Sequence, residues 1–323
     1  MTREQLVIGI DLGGTKINTA LANGAGRIIA RDYRETLAPE GPDTVIARML
    51  DAASRVMAEA DVEISQVTAV GICAPGPLDV AAGVVVSPPN LPGWDRVPLR
   101  QLIADALGIP AFLEKDANAA AMGECLFGAG RGTQHMIYVT VSTGIGSGLI
   151  LDGKLYHGAT SMAGEIGHTT IVPDGPLCGC GNYGCLEALA SGTAIARRAR
   201  ERVAKGAPTL IGDLAEGDPE RVTAKTVAQA ATQGDIEAQQ IISEAMDYLG
   251  IGIANLVNLF NPQVIIIGGG LANIGDALFE PVQRVVERRA FHAAVEAVRV
   301  VPAELGDDVG VLGAAAVALA QIA

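Results

Sequence analysis

The chain opens on short apolar runs separated by glycine-rich breaks. LVIGIDL (6–12), KINTALAN (16–23) and IIARDYRE (28–35) read as three strands, parted by the turn-forming stretches GGT and NGAG. The period then changes. In PDTVIARMLDAASRVMAEA (42–60), Val45, Ile46, Met49, Ala53, Val56 and Met57 share one helical face. VTAVGICAP reads as a buried strand, PLRQLIADALG as a helix stopped by Gly108, AFLEKD as a strand and ANAAAMGECLFG as a helix. HMIYVTVSTGIGSGLILDGK (135–154) repeats the opening theme: a strand, a glycine turn carrying a Thr, and a second strand. Long helices follow, including 235–260. Then come a strand over VIIIGGG (264–270), a helix over LANIGDALFEPVQRVVERRA, a strand over AVRVVPAEL and a terminal helix of small residues (310–322). This alternation predicts an α/β fold.

Length and composition sharpen that picture. A chain of 323 residues suggests about two domains, and the first α/β unit is complete near 116–118. The expected division is therefore 1–116 and 117–305. Hydrophobic residues make up 49% but aromatics only 3%, with 40 glycines, so the core is expected to be built from Ala, Val, Ile and Leu. The net charge of −13 opposes phosphate backbones, and no long basic run offsets it, so nucleic acid is not an expected partner. MTREQ is polar and LVIGI is too short for a signal peptide, and no apolar stretch approaches a membrane span. The expected compartment is the cytoplasm, where thiols stay reduced.

Two glycine loops carry candidate chemistry. IDLGGTK (10–16) and VSTGIGSG (141–148) both follow strands. Glycine lets backbone N–H groups approach an anion, and Thr15, Lys16 and Thr143 add donors, so the pair could grip a polyphosphate. Each loop alone reads more often as a plain turn; VIIIGGG, a third glycine-rich strand end, shifts the balance toward phosphate binding. Two look-alikes fail. GLILDGKL places Lys154 at Walker A spacing but follows it with Leu155, and GCGNYG has no strand before it.

The remaining signal is GEIGHTTIVPDGPLCGCGNYGCLE (164–187), which holds three of the five cysteines. Cys178 and Cys180 are too close for a relaxed disulfide. Three thiolates with His168 make a closed tetrahedral set for a structural Zn²⁺; free thiols are the alternative. Such a clip would fix Glu165 and Glu187 beside His168, and carboxylates at fixed positions suit sugar hydroxyls. Both acids read equally as caps or surface residues. His135, His157 and His292 read as surface or core histidines.

In this order, DLGGTK, APGPLD, NLPGW, EKDANAAA, GEIGH, CGCGNYGCLEALASG and IIIGGG resemble the ROK family of bacterial sugar kinases and sugar-sensing repressors. The likeness spans essentially the whole chain, and GEIGH with the cysteine motif is its most specific part. It implies a two-domain ATPase fold of actin/hexokinase-like (ribonuclease H-like) type with a central cleft, the terminal helix (306–323) packing back on the smaller domain. It implies a glucokinase: ATP-dependent phosphorylation of a hexose at its 6-hydroxyl, most simply glucose. Another hexose, an N-acetylated amino sugar or a regulator without kinase activity are the alternatives. Family repressors carry a winged helix ahead of this motif; DLGGTK begins at residue 11, so none is expected here.

The resemblance also implies roles. Asp116 is the catalytic base, and Asn90, Glu165, His168 and Glu187 contact the sugar. Asp11, Gly13, Gly14, Thr15, Lys16, Thr143, Gly144, Gly268, Gly269 and Gly270 take ATP, with Mg²⁺ held through water at Asp11. His168, Cys178, Cys180 and Cys185 hold zinc. A homodimer or homotetramer is the implied assembly. One residue departs from the pattern: many relatives have Asn before the base, where this chain has Lys115. Lysine donates to oxygen but accepts nothing, so Lys115 is expected to tune sugar choice.

Overall fold

A computed structural model describes residues 5–322; Ala323, the last residue of the expected terminal helix, lies outside them with residues 1–4. The chain divides into two compact units. The first comprises Met1–Gln134, Gly148–Ala163 and Ala303–Ala323, the second His135–Ser147 and Gly164–Pro302.

In chain order, the first unit opens with β1 (Leu6–Leu12), β2 (Lys16–Asn23) and β3 (Ile28–Glu35), then α1 (Pro42–Glu59) and β4 (Val67–Ala74). A short ribbon of β5 (Leu78–Asp79) and β6 (Val84–Val85) precedes α2 (Leu99–Leu107), β7 (Ala111–Lys115) and α3 (Asp116–Phe127). The sheet order is β3-β2-β1-β4-β7, with β1 antiparallel to β2 and parallel to β4. β1 is covered on both faces, which is why it reads as an apolar run instead of an alternation. β3 lies at the edge and alternates.

The second sheet is built from β8 (Met136–Val141), β9 (Ile145–Leu151) and β10 (Lys154–Leu155). After it come α4 (Leu186–Ala190), α5 (Gly192–Ala204), α6 (Ile211–Leu214), α7 (Ala224–Thr232) and α8 (Ile236–Phe260). β11 (Val264–Gly268), α9 (Asp276–Arg289), α10 (His292–Ala297), β12 (Arg299–Pro302) and α11 (Val309–Gln321) complete the chain. The order is β10-β9-β8-β11-β12, with β11 parallel to both β8 and β12. The long α8 starts where the Asp235 carboxylate accepts the Ala238 N–H at 2.8 Å, and it ends at Asn261 in the left-handed region.

Both faces of the first sheet are buried, by different chemistry. On one face Ile8, Ile10 and Leu12 meet Val45, Met49, Val56, Leu99 and Ile103 from α1 and α2. On the other, Val7, Ala20 and Ala69 meet Val311, Ala315 and Leu319 from α11. α11 is almost wholly buried, as a helix apolar all round must be. Its approach is backbone to backbone. A Cβ on Gly9 would stand 2.2 Å from the Val311 carbonyl oxygen, and one on Gly71 1.8 Å from that of Ala314. α3 packs along α11, so the first unit continues through Gln134, past the border expected at 116–118. Among the described residues no helix is long and apolar enough to cross a membrane.

This packing has a direct test. Gly71→Ala is expected to cost at least about 1–3 kcal/mol, because the added methyl overlaps helix backbone and cannot be relieved by a rotamer change. Gly212→Ala, where a Cβ meets only Val203 Cγ1 at 3.6 Å, serves as the control with little or no loss. Urea midpoints of the two variants decide it.

Candidate functional site

In the first unit, Gly13 and Gly14 turn the chain from β1 into β2, and Gly13 N–H donates to the Lys16 carbonyl at 2.9 Å. Buried Thr36 pins the turn from behind: its hydroxyl donates to the Gly13 carbonyl at 2.7 Å and its N–H to that of Thr15 at 2.8 Å. Gly14 is fixed by contact, since a Cβ there would meet the Asn90 carbonyl oxygen at 2.8 Å. The structure thus brings Asn90 of NLPGW onto the DLGGTK turn. Lys16 is exposed, and its ammonium lies 5.0 Å from the centroid of the Tyr33 ring.

Asp11 stands beneath that turn. The Cys73 thiol donates to its Oδ1 at 3.2 Å, and a Cβ on Gly310 would come within 2.2 Å of its Oδ2. The carboxylate therefore sits against the first turn of α11, where the helix's positive end favours an anion. Burial raises its pKa most, the Cys73 bond opposes this, and the charge of Asp116 raises it further.

Asp116 is the exposed first residue of α3, directly after β7. Its Oδ1 accepts the Ala117 N–H at 2.7 Å. Lys115 before it has its ammonium 3.4 Å from Met162 Sδ. Partly exposed His157 has a specific partner: its Nε2 lies 2.6 Å from Oε2 of buried Glu114. A lone acid in an apolar strand signals that a partner exists, but not which residue supplies it.

In the second unit, the Ser142–Gly144 turn joins β8 to β9. Glu187 reaches it from the first turn of α4, and its Oε2 accepts the Ile145 N–H at 2.9 Å. A Cβ on Gly144 would stand 2.4 Å from that same oxygen. The carbonyl of the same residue meets the GEIGH turn, where a Cβ on Gly167 would lie 2.1 Å from the Ile145 carbonyl oxygen. Glu187, Glu165 and His168 are thereby grouped around one strand start. The turn after β11 joins them from the other side. Gly269, at φ 85°, leaves no room for a Cβ, which would meet the Val141 carbonyl oxygen at 2.5 Å.

A cavity of about 1290 Å³ opens beside these turns. Its lining includes Ser142, Thr143, Gly192, Thr193, Lys225 and Gly270. Thr193 donates its hydroxyl to the Thr143 carbonyl at 2.7 Å, and Gly192 N–H donates to that of Ser142 at 2.8 Å. These α5 residues were not singled out in the sequence. The only cue was SGT, a cap signal before a helix, which most helices share.

His168, Cys178, Cys180 and Cys185 converge: their ligand atoms all lie within 4.8 Å of one another, the only such group among the described residues. His168 Nδ1 is 3.7 Å from Cys178 Sγ, and Cys180 Sγ is 3.7 Å from Cys185 Sγ. A tetrahedral ion with sulfur and nitrogen ligands needs edges of about 3.5–3.8 Å, so the set fits a metal ion. Burial, then the neighbouring Cys180 and Cys178 sulfurs, push the Cys185 thiol up to about 12, a crowding that a dication relieves. The hairpin carrying the ligands is held by paired Leu177 and Tyr183 and by Thr170 opposite Cys185.

The ROK family pattern matches residues 7–321. The chain belongs to the ROK family. It is 40% identical to a glucokinase of Thermotoga maritima over 96% of each chain. It is 33% identical to a xylose repressor of Caldicellulosiruptor bescii, over 98% of this chain and 78% of that one. Among solved structures, a ROK family glucokinase from Streptomyces griseus, in complex with glucose and AMPPNP, superposes with a TM-score of 0.80 at 35% identity. That match covers 97% of this chain and 99% of that one. The fold of this ROK protein is accordingly the actin/hexokinase-like α/β fold.

Proposed function

We propose that this ROK protein is an ATP-dependent hexokinase that phosphorylates glucose at its 6-hydroxyl. The observation that carries the reading is the setting of Asp116: an exposed carboxylate at a helix start, in the same unit as the DLGGTK turn and electrostatically linked to Asp11. The positive end of α3 and the Ala117 N–H favour its ionised form, which accepts the sugar hydroxyl's proton. Phosphoryl transfer has a loose transition state, so the base chiefly orients the hydroxyl and takes the proton late. Asn90, Glu165 and Glu187 hold other sugar hydroxyls. With a metal on Nδ1, His168 keeps Nε2 for the same task.

The nucleotide reading rests on the Thr143 turn, the Gly268–Gly270 turn and the cavity beside them. Gly13 shapes the first turn, Gly14 and Gly144 suit backbone N–H donation to phosphate, and Thr15 and Lys16 are further donors. Mg²⁺ bound with ATP neutralises charge on the phosphates, and Asp11 is the carboxylate suited to hold its water shell. The ion at the Cys₃His set is read as zinc, closed by four protein ligands and hence structural. The similarity to a xylose repressor keeps a second reading in view, a sugar-binding regulator without turnover.

An ADP-release assay over glucose, mannose, fructose, allose and the two N-acetylated amino sugars separates these readings. Turnover of glucose supports the proposal; folded, metal-loaded protein active on none of them supports the regulator. Asp116→Asn is expected to lower kcat by about 10²–10⁴-fold with little change in the KM for glucose. Metal analysis of the full chain should find about one zinc per chain, lost in Cys185→Ser together with several degrees of Tm. Lys115→Asn is expected to change the ratio of kcat/KM between glucose and at least one other hexose. Identical ratios throughout would remove Lys115 from specificity.

A further inference from the structure

Glu114 has no part in the chemistry assigned to Asp116, yet it is the most heavily bonded carboxylate near it. It is 3% exposed. Its Oε1 accepts the Lys115 N–H at 2.9 Å and the Asn118 side-chain amide at 2.9 Å. Its Oε2 faces His157 Nε2 at 2.6 Å. Lys115 and Asn118 flank Asp116 in sequence, so one carboxylate spans the strand-to-helix junction at whose centre the base stands. His157 ties that junction to the segment after β10, which also brings Met162 to Lys115.

Burying a carboxylate is costly unless its oxygens are bonded and its charge is balanced, and a well-packed apolar pair in its place would often be at least as stable. Stability alone therefore explains this pair poorly; a fixed geometry explains it better. The charged groups acting on the imidazole are Glu114 and Lys115 of β7. The Glu114 bond raises the His157 pKa, while burial and the Lys115 charge oppose it. A protonated His157 thus offsets the Glu114 charge next to the base.

We propose that the Glu114–His157 pair is a positioning device for phosphoryl transfer, holding the β7–α3 junction so that Asp116 and Lys115 keep one geometry toward the sugar. The inference rests on the reading of Asp116 as the base. Its mechanism is indirect: neither Glu114 nor His157 touches a reacting atom.

The test uses the full chain loaded with zinc, with kcat and KM for glucose and ATP measured across about pH 5 to 9 beside Tm. His157→Ala is expected to lower kcat about tenfold or more, with the KM for ATP held within about twofold, because the base is displaced and not removed. The KM for glucose should also stay within about twofold, so that the loss falls on kcat. His157→Gln keeps a donor for Oε2 and should recover most of kcat, whereas a purely structural contact lowers Tm and leaves kcat unchanged. If His157→Ala does not fold, His157→Leu, which fills the space without a donor, takes its place. Wild-type kcat in the folded variants, with Tm alone reduced, overturns the inference. Asp116→Asn separates the two levels: full turnover there ends the base reading, whereas an inactive Asp116→Asn beside silent His157 variants ends only this one.

Discussion

The N–H of Ile145 is held by the Glu187 carboxylate at 2.9 Å, while its carbonyl oxygen lies so close to Gly167 that a side chain there would overlap it. This single residue sets the local layout of that part of the second unit. Through its N–H it fixes α4, and with α4 the Cys185 that begins it. Through its carbonyl it fixes the GEIGH turn, and with that turn Glu165 and His168. The residue before it is Gly144, on the turn beside the large cavity. The Cys₃His cluster, two carboxylates and the Ser142–Gly144 turn are thus referenced to one strand start. The price is two positions where only glycine fits.

The first unit places two carboxylates at helix starts. Asp11 lies against the first turn of α11 and takes a bond from Cys73; Asp116 opens α3 and takes one from Ala117. Both use the positive end of a helix, the cheapest source of fixed positive potential in an acidic chain. Those two helices pack on each other through small residues, and a Cβ on Gly313 would meet the Ala119 carbonyl oxygen at 2.4 Å. The poverty of aromatics in the composition has its cause here. Backbone-to-backbone packing brings two helix starts near the sheet's glycine turn, and large side chains would hold them apart.

Much of this could be read locally. Periodicity placed the strands and helices to within a few residues, because the alternation of buried faces is written into neighbouring positions. The cysteine spacing marked the four convergent ligands, because all lie within eighteen residues on turns that glycine and proline dictate. Asp116 stood out because a strand ended and a helix began around it. The partner of His157 was not legible, because it lies 43 residues away on β7. Gly192 and Thr193 were also missed, because their helix start resembles any other.

The sequence by itself determined the order of elements, the clustered cysteines with His168, the glycine turns and the polar residue types on offer. These follow from short-range rules of backbone conformation and side-chain chemistry. Tertiary structure alone decided which of those residues share a peptide, a helix end or a proton. It seated Asn90 on Gly14, closed Glu187 on Ile145, joined His157 to Glu114 and brought Asp11 under the charge of Asp116. Such pairings are set by how close two backbones can pack, and that depends on the whole core at once.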